Sequence, residues 1–144
     1  MHSLFFSPGR WVTHGWFVAG DGVRVEGSGV ASVMHRDGLW VLEEQLTLAG
    51  DPPRVLENRC TIEPFAADAD NTTWRAENSV LGAVEGWFVL AGDTILSGYR
   101  SLDGRYSGAE SLRQDGPGEY DVGGALFDGG RKVSVWALRM VREA

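Results

Sequence analysis

Glu43 and Glu44 stand side by side in a segment, Leu39 to Leu48, that reads as extended chain. Adjacent side chains of a strand point to opposite faces, so one of these carboxylates is expected to face an interior. There it could pair with Arg59 or Arg100, or act as a general acid or base. Pairing is the favoured reading, because no partner base is identifiable in the sequence. Arg139 lies in another extended segment, Lys132 to Val141. If Val133, Val135, Ala137, Arg139 and Val141 form the inner face, its guanidinium could take a ligand carboxylate through two parallel hydrogen bonds. Otherwise it packs over an aromatic ring or emerges at a rim. Trp40, Trp74, Trp87 and Trp136, with Tyr99, Tyr106 and Tyr120, supply flat apolar surfaces with polar tips, the material of a small-molecule pocket or of a filled core. The expected ligand contacts are Trp40, Glu44, Trp87, Tyr99, Arg100, Tyr120 and Arg139.

Other chemistries find less support. His14 and His35 lack a metal-ligand spacing, and no metal site is expected. Asp68 to Thr73 begins like a calcium loop but lacks the Gly at position six and has Ser79 where the Glu at position twelve belongs. Gly27-Ser28-Gly29 lies inside an extended segment, without the third Gly and the helix of a dinucleotide site. No Gly-x-Ser-x-Gly elbow occurs, and Cys60 has no neighbouring group that marks an activated thiolate.

These residues must be positioned by strands. Turn signals recur every 8–12 residues, roughly the spacing of an all-β chain. They bound ten extended segments, from Trp11–Ala19 and Val23–His35 through to Glu119–Phe127 and Lys132–Val141. Sustained helical periodicity is absent, and only Pro64 to Asp70 has room for a turn of helix. Asp-Gly and Gly-Gly connections suit antiparallel hairpins. Gly27, Gly29, Gly98, Gly108, Gly123 and Gly124 fall inside strands, where a closing barrel needs kinks. The fold expected is therefore all-β, an antiparallel up-and-down closed barrel of about ten strands with little or no helix, forming one domain over residues 1–144. Gly15-Trp16-Phe17-Val18 nearly recurs at Gly86-Trp87-Phe88-Val89. This is read as a shared hairpin edge, since other periods do not align.

The 144 residues carry 13 Lys and Arg against 20 Asp and Glu, a net charge of −7. That balance argues against nucleic acid and anionic membrane surfaces as partners. The first residues lack the basic and apolar regions of a signal peptide, and no run is long enough to span a membrane. One cysteine permits no internal disulfide, so a cytoplasmic location is expected.

Gly9-Arg10-Trp11 resembles the Gly-x-Trp signature of the calycin group, the lipocalins and fatty-acid-binding proteins. The resemblance implies that Gly9 and Trp11 close one barrel end and that an Arg of the last strand, Arg139 or Arg142, packs over the Trp ring. The second lipocalin motif, the lipocalin cysteine pairs and a two-helix lid have no counterpart. The strand rhythm looks closest to the nitrobindin-type branch, which holds haem through a His near the C-terminus. Here the histidines are His2, His14 and His35, so haem is not expected and no cofactor is predicted.

The function expected is an intracellular binding protein holding a small apolar or amphipathic molecule inside the barrel. Two alternatives stand beside it. One is a small-molecule enzyme of isomerase or hydrolase type, using Glu44, His35, Arg100 or a Tyr. The other is an interaction module with a filled barrel, which could act as a homodimer.

Overall fold

The computed structural model describes all 144 residues, Met1–Ala144. Ten strands follow in order: β1 (Gly9–Ala19), β2 (Arg24–Arg36), β3 (Leu39–Leu48), β4 (Arg54–Ile62), β5 (Asn71–Asn78), β6 (Gly82–Ala91), β7 (Thr94–Ser101), β8 (Tyr106–Gln114), β9 (Glu119–Asp128) and β10 (Arg131–Arg142). Each pairs antiparallel with its sequence neighbour, and β10 pairs with β1 to close the ring. The all-β, up-and-down barrel expected from the turn spacing is thus the fold observed. Pro64 to Asp70 forms an irregular connection with a turn and no helix. The two-residue β2–β3 connection shows why the turns fall where they do. Asp37 and Gly38 both have positive φ, 53° and 73°, which a tight hairpin of this hand requires and which Asp and Gly tolerate.

Alternation and register assign the two faces. Trp11, Thr13, Gly15 and Phe17 of β1 point inward, as do Trp136, Leu138, Met140 and Arg142 of β10. The opposite parity forms the outer wall, where ion pairs cross between strands: Arg59–Glu43 at 2.7 Å, Arg100–Glu85 at 2.8 Å and Arg113–Asp121 at 2.9 Å. A wall bearing charges in this pattern suits water and would be costly against lipid. No helix is long and apolar enough to cross a membrane.

The two ends of the barrel differ. At one end residues 1–8 fold back as a plug. Leu4 and Phe5 are 0% and 2% exposed, and the Phe5 ring stacks on Phe88 with centroids 4.7 Å apart. Phe6 packs against Trp40 and Phe65, both at 5.0 Å. Burying each such side chain contributes roughly 2 kcal/mol. Hydrogen bonds fix the plug: the Tyr120 hydroxyl accepts from the Ser3 and Leu4 amides at 3.2 and 3.4 Å and lies 2.8 Å from His2 Nδ1. His35 Nε2 lies 2.7 Å from the Phe5 carbonyl. Gly9, Trp11 and Arg142 meet at this same end. The Arg142 guanidinium lies 5.8 Å from the Trp11 ring centroid and donates to the Pro8 carbonyl at 2.6 Å. Gly9 makes room for it, since a Cβ there would come within 2.6 Å of Arg142 Nη2.

The other end has no plug. It is ringed by the turns after β1, β3, β5, β7 and β9, and it carries four exposed aliphatic side chains, Val23, Val55, Val80 and Leu102.

Candidate functional site

Between the plug and the unplugged end, the interior is lined by side chains that are deep among protein atoms yet keep accessible surface. Trp11, Ile62, Ile95 and Tyr120 near the plug are wholly buried. Towards the unplugged end, the inward-facing Phe17, Glu44, Leu46, Leu56, Asn58, Tyr99, Glu110, Leu126 and Trp136 are all only half-buried. This half of the barrel, the lumen, is therefore less tightly filled than the half behind the plug.

Three inward aromatic rings each lie flat across a glycine on the neighbouring strand, and two of them, Tyr99 and Trp136, keep accessible surface in this half of the barrel. Trp74 lies over Gly86, Tyr99 over Gly108, and Trp136 over Gly124. A Cβ at Gly124 would come within 2.5 Å of the Trp136 ring, and one at Gly108 within 2.3 Å of the Tyr99 hydroxyl oxygen. Covering glycine in this way keeps the rings against the wall. Phe17 extends the surface by stacking on Trp136 at 5.6 Å.

Two carboxyls face into this lumen. Glu44 of β3 accepts from Asn58 Nδ2 at 3.3 Å, and Asn78 Nδ2 in turn donates to Asn58 at 3.2 Å. Glu110 of β8 accepts from the Trp136 indole N–H at 2.8 Å. Neither has an arginine or lysine partner. Burial raises Glu44 above the ordinary carboxylate range, against the smaller pull of Asn58. Burial likewise raises Glu110, the charge of Glu44 adds to it, and the Trp136 bond opposes; the net is a pKa pushed up to about 7. Burial, with Glu44 and Glu110 adding, also pushes the Cys60 thiol well up, so this thiol is an inert wall group and not a nucleophile. Tyr99 donates to the Ala125 carbonyl at 3.3 Å and is raised by burial and by Glu110.

The residues expected to contact a ligand separate into three places. Glu44 and Tyr99 line the lumen. Trp40 and Tyr120 face inward but belong to the plugged end. Trp87, Arg100 and Arg139 are on the outer wall, and the expectation that they line the interior is corrected. Trp87 is 46% exposed and lies across Gly98, and with Arg100 it lines a shallow outer depression. Arg139 pairs with Asp115, Glu119 and Asp121 outside. The inner face of β10 is the Trp136, Leu138, Met140 parity, the larger set of side chains. Of the two arginines proposed over Trp11, Arg142 is the one in place. Glu44 has neither Arg59 nor Arg100 beside it, because those side chains pair with Glu43 and Glu85 outside. His14 is exposed on the outer wall, and His35 stacks on Trp40 by the plug with centroids 4.8 Å apart. No group of three or more His, Cys, Asp or Glu converges as a metal site would.

Glu110, Asn58 and Asn78 are lumen groups that sequence reasoning missed. The signal was present in β8, where Tyr106, Gly108, Glu110 and Leu112 share one parity, so that an inward Leu112 carries Glu110 inward with it.

No protein-family model and no curated protein matches the sequence. Solved structures do match in shape. The S-type phycobiliprotein lyase CPES from Guillardia theta superposes with a TM-score of 0.70 at 11% identity, covering 98% of this chain and 91% of that one. A de novo designed fluorescence-activating β barrel gives a TM-score of 0.42 at 18% identity, covering 96% and 94%. The chain shares its fold, a closed ten-strand antiparallel β-barrel, with that lyase.

Proposed function

We propose that this protein binds one small, flat, mostly apolar molecule in the barrel lumen, taken in through the unplugged end. The observation that carries this reading is the asymmetry of the interior. One half is packed solid behind the plug, whereas the other keeps accessible surface along aromatic and aliphatic walls. A phycobiliprotein lyase built on the same barrel supports the reading only through the shared fold. The single, buried Cys60 suits a reducing compartment such as the cytoplasm. Haem has no place in this proposal, since His2 and His35 stand at the plug and His14 outside.

Binding is favoured over catalysis because neither lumen carboxyl has a second titratable group within hydrogen-bond reach. A proton-transfer enzyme is the second reading, favoured by Glu110 alone, whose pKa of about 7 suits a general acid.

The test is titration with Nile red, an uncharged flat dye whose emission shifts in apolar surroundings. Saturable one-to-one binding is expected, abolished by the double variant Leu46→Trp/Leu126→Trp. Those residues face inward one step nearer the unplugged end than Glu44 and Glu110, so indoles there fill the way in. Unsaturable binding, or binding untouched by a variant that still folds to the same β-rich spectrum, would overturn the lumen as the site.

A further inference from the structure

The binding reading leaves open what the two carboxyls are for, and their placement narrows the ligand. β3 and β8 are five steps apart around a ring of ten strands, whichever way one counts, so Glu44 and Glu110 face each other across the lumen. Each has a single protein donor, on one oxygen: Asn58 on Glu44 Oε1 and Trp136 on Glu110 Oε2. Glu44 Oε2 and Glu110 Oε1 have no hydrogen-bond partner in the protein. A carboxylate only accepts and has room for about four donors, so both groups have unfilled capacity turned towards the lumen.

The surroundings supply no cation. Glu44 is flanked in register by Ala31 and Asn58, and Glu110 by Ser97 and Gly124. The other titratable groups facing this space are Cys60 and Tyr99, both acids, with Tyr106 and Asp128 nearer the rim. Inward-parity cations occur only at the extremes, Arg142 over Trp11, His35 at the plug and the exposed Arg54 at the open rim. Structural ion pairs are abundant on the outer wall, so their absence inside is local to the lumen. A buried carboxyl without a cation is costly unless something neutralises it.

We propose, resting on the lumen-binding reading, that the ligand carries a positively charged or protonatable nitrogen on its flat apolar skeleton, and that the facing pair Glu44 and Glu110 supplies the negative charge this nitrogen pairs with. The aromatic wall assists, because the Trp136 and Tyr99 faces attract a cation lying against them. A neutral nitrogen base would take its proton from Glu110. A permanent cation would instead expel that proton to solvent. In either case the proton is accounted for, and Glu110 ends as a carboxylate beside a nitrogen cation, with Glu44 on the facing wall adding negative potential.

Three flat dyes of similar size separate the possibilities: thioflavin T, a permanent cation; anilinonaphthalene sulfonate, an anion; and Nile red, uncharged. Thioflavin T is expected to bind the intact protein at least about tenfold more tightly than the sulfonate above pH 7, a gap that high salt does not erase because buried pairs are weakly screened. Its affinity is expected to fall as pH drops through about 7, where Glu110 takes up its proton. Calorimetry in buffers of different ionisation heat is expected to show proton release on binding, absent in Glu110→Gln. The double variant Glu44→Gln/Glu110→Gln keeps both donors supplied and should lose the cation preference while still binding Nile red within about twofold. If the preference survives that variant, or if the sulfonate binds as well as thioflavin T, the nitrogen proposal fails while the lumen reading stands. If Nile red does not bind either, both fail together.

Discussion

Glu110 is the residue whose environment departs furthest from what its type prefers, and its effect on stability has a definite sign. Its folded pKa is near 7 against an ordinary 4.5. The folded state therefore binds the proton more tightly than the unfolded chain does. The favourable contribution is complete below about pH 4.5 and is lost as pH rises through about 7, a change on the order of 3 kcal/mol. Glu110→Gln keeps the acceptor for Trp136 and removes the titration. It should melt above the parent protein at pH 8 and lose that advantage by about pH 5, read by calorimetry across the range. Equal melting curves at every pH would mean that Glu110 is solvated and not desolvated. Tyr120 offers a second reading at this scale, because its hydroxyl serves the plug and not a ligand. Tyr120→Phe strands the Ser3 and Leu4 amides and should cost about 1–3 kcal/mol in denaturant unfolding. Nile red affinity should be unchanged, since the lumen lies beyond Trp11.

At the scale of the strand, a ring and the glycine beneath it act as one unit. Gly124→Val would put a side chain where the Trp136 ring now lies, so the ring must leave the wall, enter the lumen and release Glu110. Nile red affinity is expected to fall at least about tenfold while unfolding loses only about 1–3 kcal/mol, because overpacking at one wall position leaves the ladder intact. Unchanged affinity would show that the ring has room elsewhere. The same unit explains what the sequence could and could not convey. Strands were legible because Asp-Gly and Gly-Gly turns bound short β-branched and aromatic runs, and β3 and β7 begin and end where those signals fall. Faces were harder. β10 is apolar on both sides, so parity alone did not decide whether Arg139 or Trp136 points inward. Trp87 shows the same ambiguity, because an outward tryptophan lying over Gly98 spells the same pattern as an inward one over Gly124. The plug was illegible for a different reason. Leu4 and Phe5 are buried by contacts with residues such as Phe88 and Tyr120, far along the chain, and no local periodicity encodes them.

Across the whole molecule the two ends of the barrel have opposite characters, and this makes ligand entrance directional. The plugged end is fixed by Leu4, Phe5 and the Arg142–Trp11 contact, and a route through it would require unfolding the first eight residues. The unplugged end exposes Val23, Val80 and Leu102 in its turns, with Val55 near them on the outer face of β4, each at least half exposed. The three turn residues are the apolar lip of a lumen whose lining continues with Leu46, Leu56 and Leu126. An apolar molecule that first wets this lip sheds water before it reaches the carboxyls, so the lip should govern the rate of capture more than the final affinity. Val80→Asp/Leu102→Asp replaces two lip residues that belong to turns and bear no ladder hydrogen bond from their side chains. Stopped-flow mixing with Nile red should show association slowed about three- to tenfold, with dissociation slowed to a similar degree and the melting temperature nearly unchanged. Leu96→Asp on the outer wall, 39% exposed, should change neither rate. Slower association on altering the wall and not the lip would mean that the ligand crosses between strands, and that the unplugged end is not the door.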